Sequence, residues 1–119
     1  MMKQHAYGKK EKLKKKSDLD ALFKHGKWKS VEHLRIIFLQ NEHIDAMKIG
    51  VSVPKRNFKK AVDRNRIKRL LRESYRLNKP LFHDKWNGKA HAMLFWSSKK
   101  MPQNYQEVRD EVIHLLSKI

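Results

Sequence analysis

Between Pro54 and Lys79 the chain reads PKRNFKKAVDRNRIKRLLRESYRLNK, and the side chains there with chemistry to offer are cations: Arg64, Arg66, Lys68, Arg69, Arg72 and Arg76, with Asn65 among them. A guanidinium is a planar fork of donors that matches phosphate oxygens, and an ammonium is a compact positive charge. The chemistry on offer is recognition of a polyphosphate, not the making or breaking of a bond. Eleven Lys and Arg face only Asp63 and Glu73 in this stretch, so it holds +9 of the formal +17 of the chain. A charge run is most often a solvated face, but solvated helices mix signs at i, i+4. Here Lys68, Arg72 and Arg76 form a like-charged ladder, which costs stability that an anionic partner would offset.

Residues able to do covalent or metal chemistry form no comparable pattern. The seven histidines, at 5, 25, 33, 43, 83, 91 and 114, make no H-E-x-x-H and no zinc spacing, and each reads as a surface or edge residue. The glycines at 8, 26, 50 and 88 are isolated, so no phosphate-cradling loop is expected. The twelve carboxylates are scattered or sit at helix starts, as Asp18 and Asp20 do, whereas a two-metal nuclease needs several that converge. No catalytic residue and no metal ligand is assigned. An acid–base nuclease built on His and Lys follows no spacing rule, so the sequence leaves that reading open.

The element that must carry the cations is legible from its apolar residues. Ile67, Leu70, Leu71 and Tyr75, with small Ser74 between, recur at the spacing of one helical face. Burying that face turns Asn65, Lys68, Arg69, Arg72 and Arg76 outward, with Arg64 and Arg66 on the flanks. The helix is expected to run to about Asn78, before Pro80.

Around it, residues 1–16 carry too little apolar surface to order and read as a flexible basic arm, leaving 17–119 as one domain. Ser17 is the expected N-cap of a short helix with Leu19, Leu22 and Phe23 on its apolar edge and Gly26 as its stop. Core packing is the reading the residues alone favour for Phe23. HLRIIFLQ and MKIGVSV read as strands paired antiparallel across the Asn41–Asp45 turn, with Arg35, Ile37 and Leu39 on one face of the first. Residues 81–89 read as a loop with Phe82 and Trp86 as lids on core edges. AHAMLFWS is the expected central strand, buried on both faces and joined to the preceding strand as a βαβ unit. Asn104 and Glu107 have capping-box spacing ahead of a closing amphipathic helix. With 119 residues the chain is long enough for one core, and with no cysteine it has no disulfide. No signal-peptide pattern or spanning stretch is visible, so a cytoplasmic setting is expected and nucleic acid is favoured over a membrane as the anionic partner.

The run AVDRNRIKRLLRESYR, preceded by a strand ending in VPKR, resembles the protein subunit of bacterial ribonuclease P. The likeness extends to KLKKK and LFKHG near the amino terminus, and residues 80–119 are its least distinctive part. The resemblance implies an α+β fold, an α-β-β-β-α-β-α sandwich with a left-handed βαβ crossover against the usual hand. It implies a catalytic RNA subunit that hydrolyses precursor tRNA at the 5′ end of the mature tRNA with magnesium bound chiefly by RNA, no cofactor being held by this chain alone. Its implied partners are that RNA subunit and precursor tRNA, with no membrane and no obligate protein partner. Carried over residue by residue, Arg64, Asn65, Arg66, Lys68, Arg69 and Arg72 bind the RNA subunit, with Arg76 added from the outward face of the helix, while Phe23, Leu19, Arg35 and Ile37 line a cleft for the precursor's 5′ leader. Leu19 and Ile37 depart from the family pattern, standing where many relatives have an aromatic on the helix and some a tyrosine on the strand. Both changes remove a platform on which single-stranded bases stack. An RNA-binding structural protein, such as a ribosomal protein, would share the charge, size and mixed fold. A helix-turn-helix DNA binder would not, since a strand precedes the basic helix.

Overall fold

Residues 11–119 are described by a computed structural model. Four helices and four strands follow in the order α1 (Lys16–His25), β1 (Lys27–Ser30), β2 (Leu34–Gln40), β3 (Lys48–Ser52), α2 (Ala61–Leu77), α3 (Lys79–Trp86), β4 (Ala90–Trp96) and α4 (Tyr105–Ser117). The sheet order is β1-β2-β4-β3, with β4 antiparallel to β2 and parallel to β3. The expected β2–β3 pairing is therefore overturned: β4 lies between them. β4 carries the most continuous apolar run, and only a central position covers both of its faces. The βαβ unit does form, from β3 through α2 and α3 to β4.

The sheet separates two layers. On one side α2, α3 and α4 close over Leu34, Ile36, Phe38, Ile49, Leu94 and Trp96, giving the main core. On the other side α1 covers a smaller cluster of Leu13, Leu22 and Ile37, with Leu19, Met93 and Phe95 packed against it. Register sets what shares a row on this second face: Ser30, Arg35, Phe95 and Ser52 in one, Trp28, Ile37, Met93 and Gly50 in the next.

Three local expectations change. α1 starts at Lys16 with Lys15 as an N-cap that makes no side-chain bond, so Ser17 lies inside the helix. The distal end of the expected arm is docked: Leu13 is buried and its amide donates to the Ile49 carbonyl at 3.1 Å, beside a Lys12–Ile49 bridge. That docking hands the chain to α1 two residues early, while residues 1–10 of the arm lie outside the described residues. The expected loop at 81–89 is largely α3, started by Pro80 in its first turn and ended by Asn87 and Gly88 at φ 54° and 69°. Phe82 and Trp86, one turn apart, are core residues of that helix, not lids.

α4 begins as expected. The Asn104 side chain accepts from the Glu107 amide at 3.0 Å, although the Glu107 carboxylate reaches the Gln103 amide, at 2.9 Å, one residue further out than a standard capping box.

Candidate nucleic-acid interface

The back of α2 is anchored by Ile67, Leu71, Ser74 and Tyr75, all buried, with the Ser74 hydroxyl donating to the Leu71 carbonyl. Tyr75 is tied down further: its hydroxyl donates to Glu11 at 2.8 Å and its ring meets Phe82 edge-on at 5.1 Å. A helix fixed this firmly holds its opposite face in a defined position. Val62, Asn65, Arg66, Arg69 and Arg72 are exposed along that face, one turn after another. Lys68 is half-buried at its margin.

Three of the basic residues also have local work. Arg64 turns back and donates to the carbonyls of Phe58 and Lys59 at 2.8 and 2.9 Å, holding the loop that leads into α2. Arg66 stands on the other flank, 3.5 Å from the Gln103 carbonyl. Arg76 is bound by both oxygens of Glu73, at 3.0 and 2.6 Å. The hydrogen bond from Arg76 holds the Glu73 carboxyl below its ordinary pKa, against a smaller opposing effect of burial, and the same contact raises that of Arg76. Glu73 thus relieves the like-charged ladder at its last rung, leaving Asn65, Arg66, Arg69 and Arg72 as the open cationic front.

The second surface lies on the α1 side of the sheet. Phe23, with 48% of its surface exposed, projects from α1 beside Trp28 and Phe95, at centroid distances of 6.4 and 6.2 Å. It is therefore not buried in the core. Trp28, 42% exposed, meets Phe95 at 5.4 Å, and the Arg35 guanidinium lies over the Trp28 ring, 4.5 Å from its centroid. Trp28, Arg35, Phe95 and Ser52 on the sheet, with Pro54 and Arg56 in the segment entering α2, line a cleft of about 330 Å³. Of the four residues expected to line a cleft, Phe23 and Arg35 are available on this surface. Ile37 is fully buried beneath α1 and Leu19 packs against the same small cluster, so both support the surface from below.

Trp28 and Phe95 are what sequence reasoning missed. An alternation argument could have found them, because Trp28 opposes Ile37 and Phe95 opposes Arg35 across the ladder. Trp28 needed the short β1 strand to be recognised, and Phe95 needed β4 to be placed beside β2. Trp28 is the cross-strand neighbour of Ile37.

A third cluster forms where the sequence shows no metal spacing: ligand atoms of His33, Glu107 and Glu111 lie within 4.8 Å of one another. Each is already engaged. Glu111 accepts from the His33 amide at 2.8 Å and meets its ring Nδ1 at 2.7 Å, the ring stacks on Trp96 at 5.5 Å, and Glu107 accepts from the Gln103 amide. The arrangement fastens the β1–β2 turn to α4.

Comparison with known proteins gives a consistent result. The family model for ribonuclease P matches residues 7–119. A ribonuclease P protein component from Syntrophus aciditrophicus is 32% identical over 98% of this chain and 93% of its own length. One from Porphyromonas gingivalis is 45% identical over 64% of this chain, and the match spans 57% of that relative. The ribonuclease P protein of Thermotoga maritima superposes with a TM-score of 0.75 at 26% identity, covering 92% of this chain and 97% of that one.

Proposed function

Because this chain belongs to the family of ribonuclease P protein components, we propose that it binds the catalytic RNA subunit of ribonuclease P and the 5′ leader of precursor tRNA, promoting maturation of the tRNA 5′ end. The observation that carries this reading is the cationic front of α2, where Asn65, Arg66, Arg69 and Arg72 stand exposed on a helix whose back is buried. Such a front supplies phosphate contacts at fixed spacing, which positions an RNA without reading its sequence. The cleft beside it suits a single strand, because Trp28 in its wall and Phe23 next to that wall offer aromatic surface for stacking and Arg35 and Arg56 offer charge for the backbone.

Cleavage itself is assigned to the RNA subunit. Magnesium supplies a Lewis acid and an activated water when bound in such a reaction, and it prefers octahedral oxygen ligands and retains water. The His33, Glu107 and Glu111 cluster fits it poorly, with an imidazole in the set and carboxylates committed to hydrogen bonds within the protein. The protein's contribution is to hold the leader and to neutralise phosphate.

Replacing Arg66, Arg69 and Arg72 by Gln tests the reading. Each side chain is exposed, so thermal stability should change little while assembly with the RNA subunit weakens at every precursor concentration. Unchanged assembly would refute the assignment of α2.

A further inference from the structure

The positive charge of residues 3–29 does not all belong to the amino-terminal arm. Lys27 and Lys29 lie beyond it in β1, the edge strand, where cross-strand pairing with Phe38 and Ile36 turns both toward the helical side of the sheet, away from Trp28 and the cleft. All four residues of β1 are exposed, so the helical layer stops short of them. Two lysines remote in sequence complete the group: Lys85 near the end of α3 and Lys118 at the C-cap of α4. Together they surround a pocket of about 420 Å³ on Phe38 and Trp86, and among the described residues no Asp or Glu lines it.

Trp86 forms part of this floor. It is 2% exposed, and its indole N–H is the one buried side-chain polar atom among the described residues without a hydrogen-bond partner. A buried indole normally finds an acceptor. Four lysines around an apolar floor match an anion that brings oxygen acceptors.

We propose that this edge of β1 with the ends of α3 and α4 is a further phosphate-binding surface, taking a stretch of RNA backbone on the face of the sheet opposite the cleft. The proposal rests on reading the chain as an RNA-binding subunit. Two other duties of these lysines make different demands. Lysines on an edge strand discourage strand pairing between molecules, and cations at the ends of α3 and α4 complement the helix dipoles. Neither duty requires contact with RNA.

The test uses the full chain with Lys27, Lys29 and Lys118 changed to Gln. Lys85 is retained because its ammonium donates to the Ile119 carbonyl at 3.2 Å. Affinity is measured against salt in two arms, for the RNA subunit alone and for precursor tRNA binding to the assembled complex. Each lost phosphate contact lowers the slope of log affinity against log salt by about 0.7 to 0.9, so the variant, short of three lysines, should lose about 2 to 3 from the slope in at least one arm. The arm that changes identifies which RNA supplies the backbone. Since the chain has no cysteine, Lys29→Cys gives a single point for tethering an iron chelate, and strand scission clustered in that same RNA is expected. Unchanged slopes in both arms overturn the proposal, as does scission no stronger than with untethered chelate. Self-association of the variant with unchanged slopes would leave edge protection as the duty of these lysines. Failure of the unaltered chain to bind the RNA subunit would instead overturn the proposed function.

Discussion

Phe23→Ala separates a ring that contacts RNA from one that holds the fold together. Truncating a fully buried phenylalanine costs about 3 to 5 kcal/mol. With 48% of Phe23 in solvent and its ring contacts among the described residues made to Trp28 and Phe95 at the surface, the stability loss should be about 1 to 2 kcal/mol. For a domain of this size that lowers Tm by roughly 4 to 8 °C. If the ring stacks on a leader base, its removal should weaken binding of leader-bearing precursor by about 1 to 3 kcal/mol, or about 5- to 150-fold. Mature tRNA without a leader should bind the altered complex as it binds the original. The assay is paired: thermal unfolding of the protein, and equilibrium binding of tRNA with and without a leader of several nucleotides. A Tm drop beyond about 12 °C, with equal losses for both RNAs, would refute the reasoning and return Phe23 to a purely structural role.

Other outcomes follow from the same geometry. Trp28→Ala should also weaken leader-dependent binding, and because it frees Arg35 from the ring, combining it with Arg35→Ala should cost less than the sum of the two; strictly additive losses would contradict the coupling. A methyl group at Gly26 would stand 2.7 Å from the Ile37 side chain and closer still to the Leu22 carbonyl, so Gly26→Ala should destabilise by about 1 to 3 kcal/mol and weaken leader binding by shifting α1, both readable by unfolding and binding assays. Burial lowers the pKa of His91, with Asp18 opposing and Lys48 reinforcing the shift. The unfolded chain therefore takes up this proton first, so stability is full above the unfolded value near pH 6.5 and falls as pH drops through it toward the folded value. Chemical denaturation of His91→Gln between pH 5 and 8 should show a flatter profile than the original chain, and identical profiles would exclude His91 as the source.

How much of this was legible in the sequence depended on whether the signal was local. α2 was readable because Ile67, Leu71 and Tyr75 repeat at helical spacing and leave the cations only one side to occupy. β4 was readable as central because its apolar run leaves no polar face. Strand order was not, since the Asn41–Asp45 turn brings β2 and β3 close without requiring them to pair, and β4 arrives between them from much later in the chain. α3 was hidden because Pro80, Asp84 and Asn87 resemble turn chemistry, and only burial of Phe82 and Trp86 shows the helical spacing to be used. The front of α2 was foreseen, but the capture of Arg76 by Glu73 and the turning back of Arg64 depend on side-chain geometry. The aromatic wall of the cleft depended on cross-strand register. So did the placing of Lys27 and Lys29 away from Trp28, because alternate residues of β1 serve opposite faces of the sheet.

The central claim, that this chain supplies binding and charge while an RNA supplies cleavage, is tested most directly by reconstitution with the ribonuclease P RNA subunit. Precursor tRNA is presented to RNA-free protein, to the RNA subunit alone, and to both together at low millimolar magnesium, and 5′ ends are mapped. The account predicts no cleavage by the protein, and cleavage at the mature 5′ end by the pair at a rate above that of the RNA alone. Specific 5′ cleavage by RNA-free protein, or a pair no faster than the RNA by itself, would contradict it.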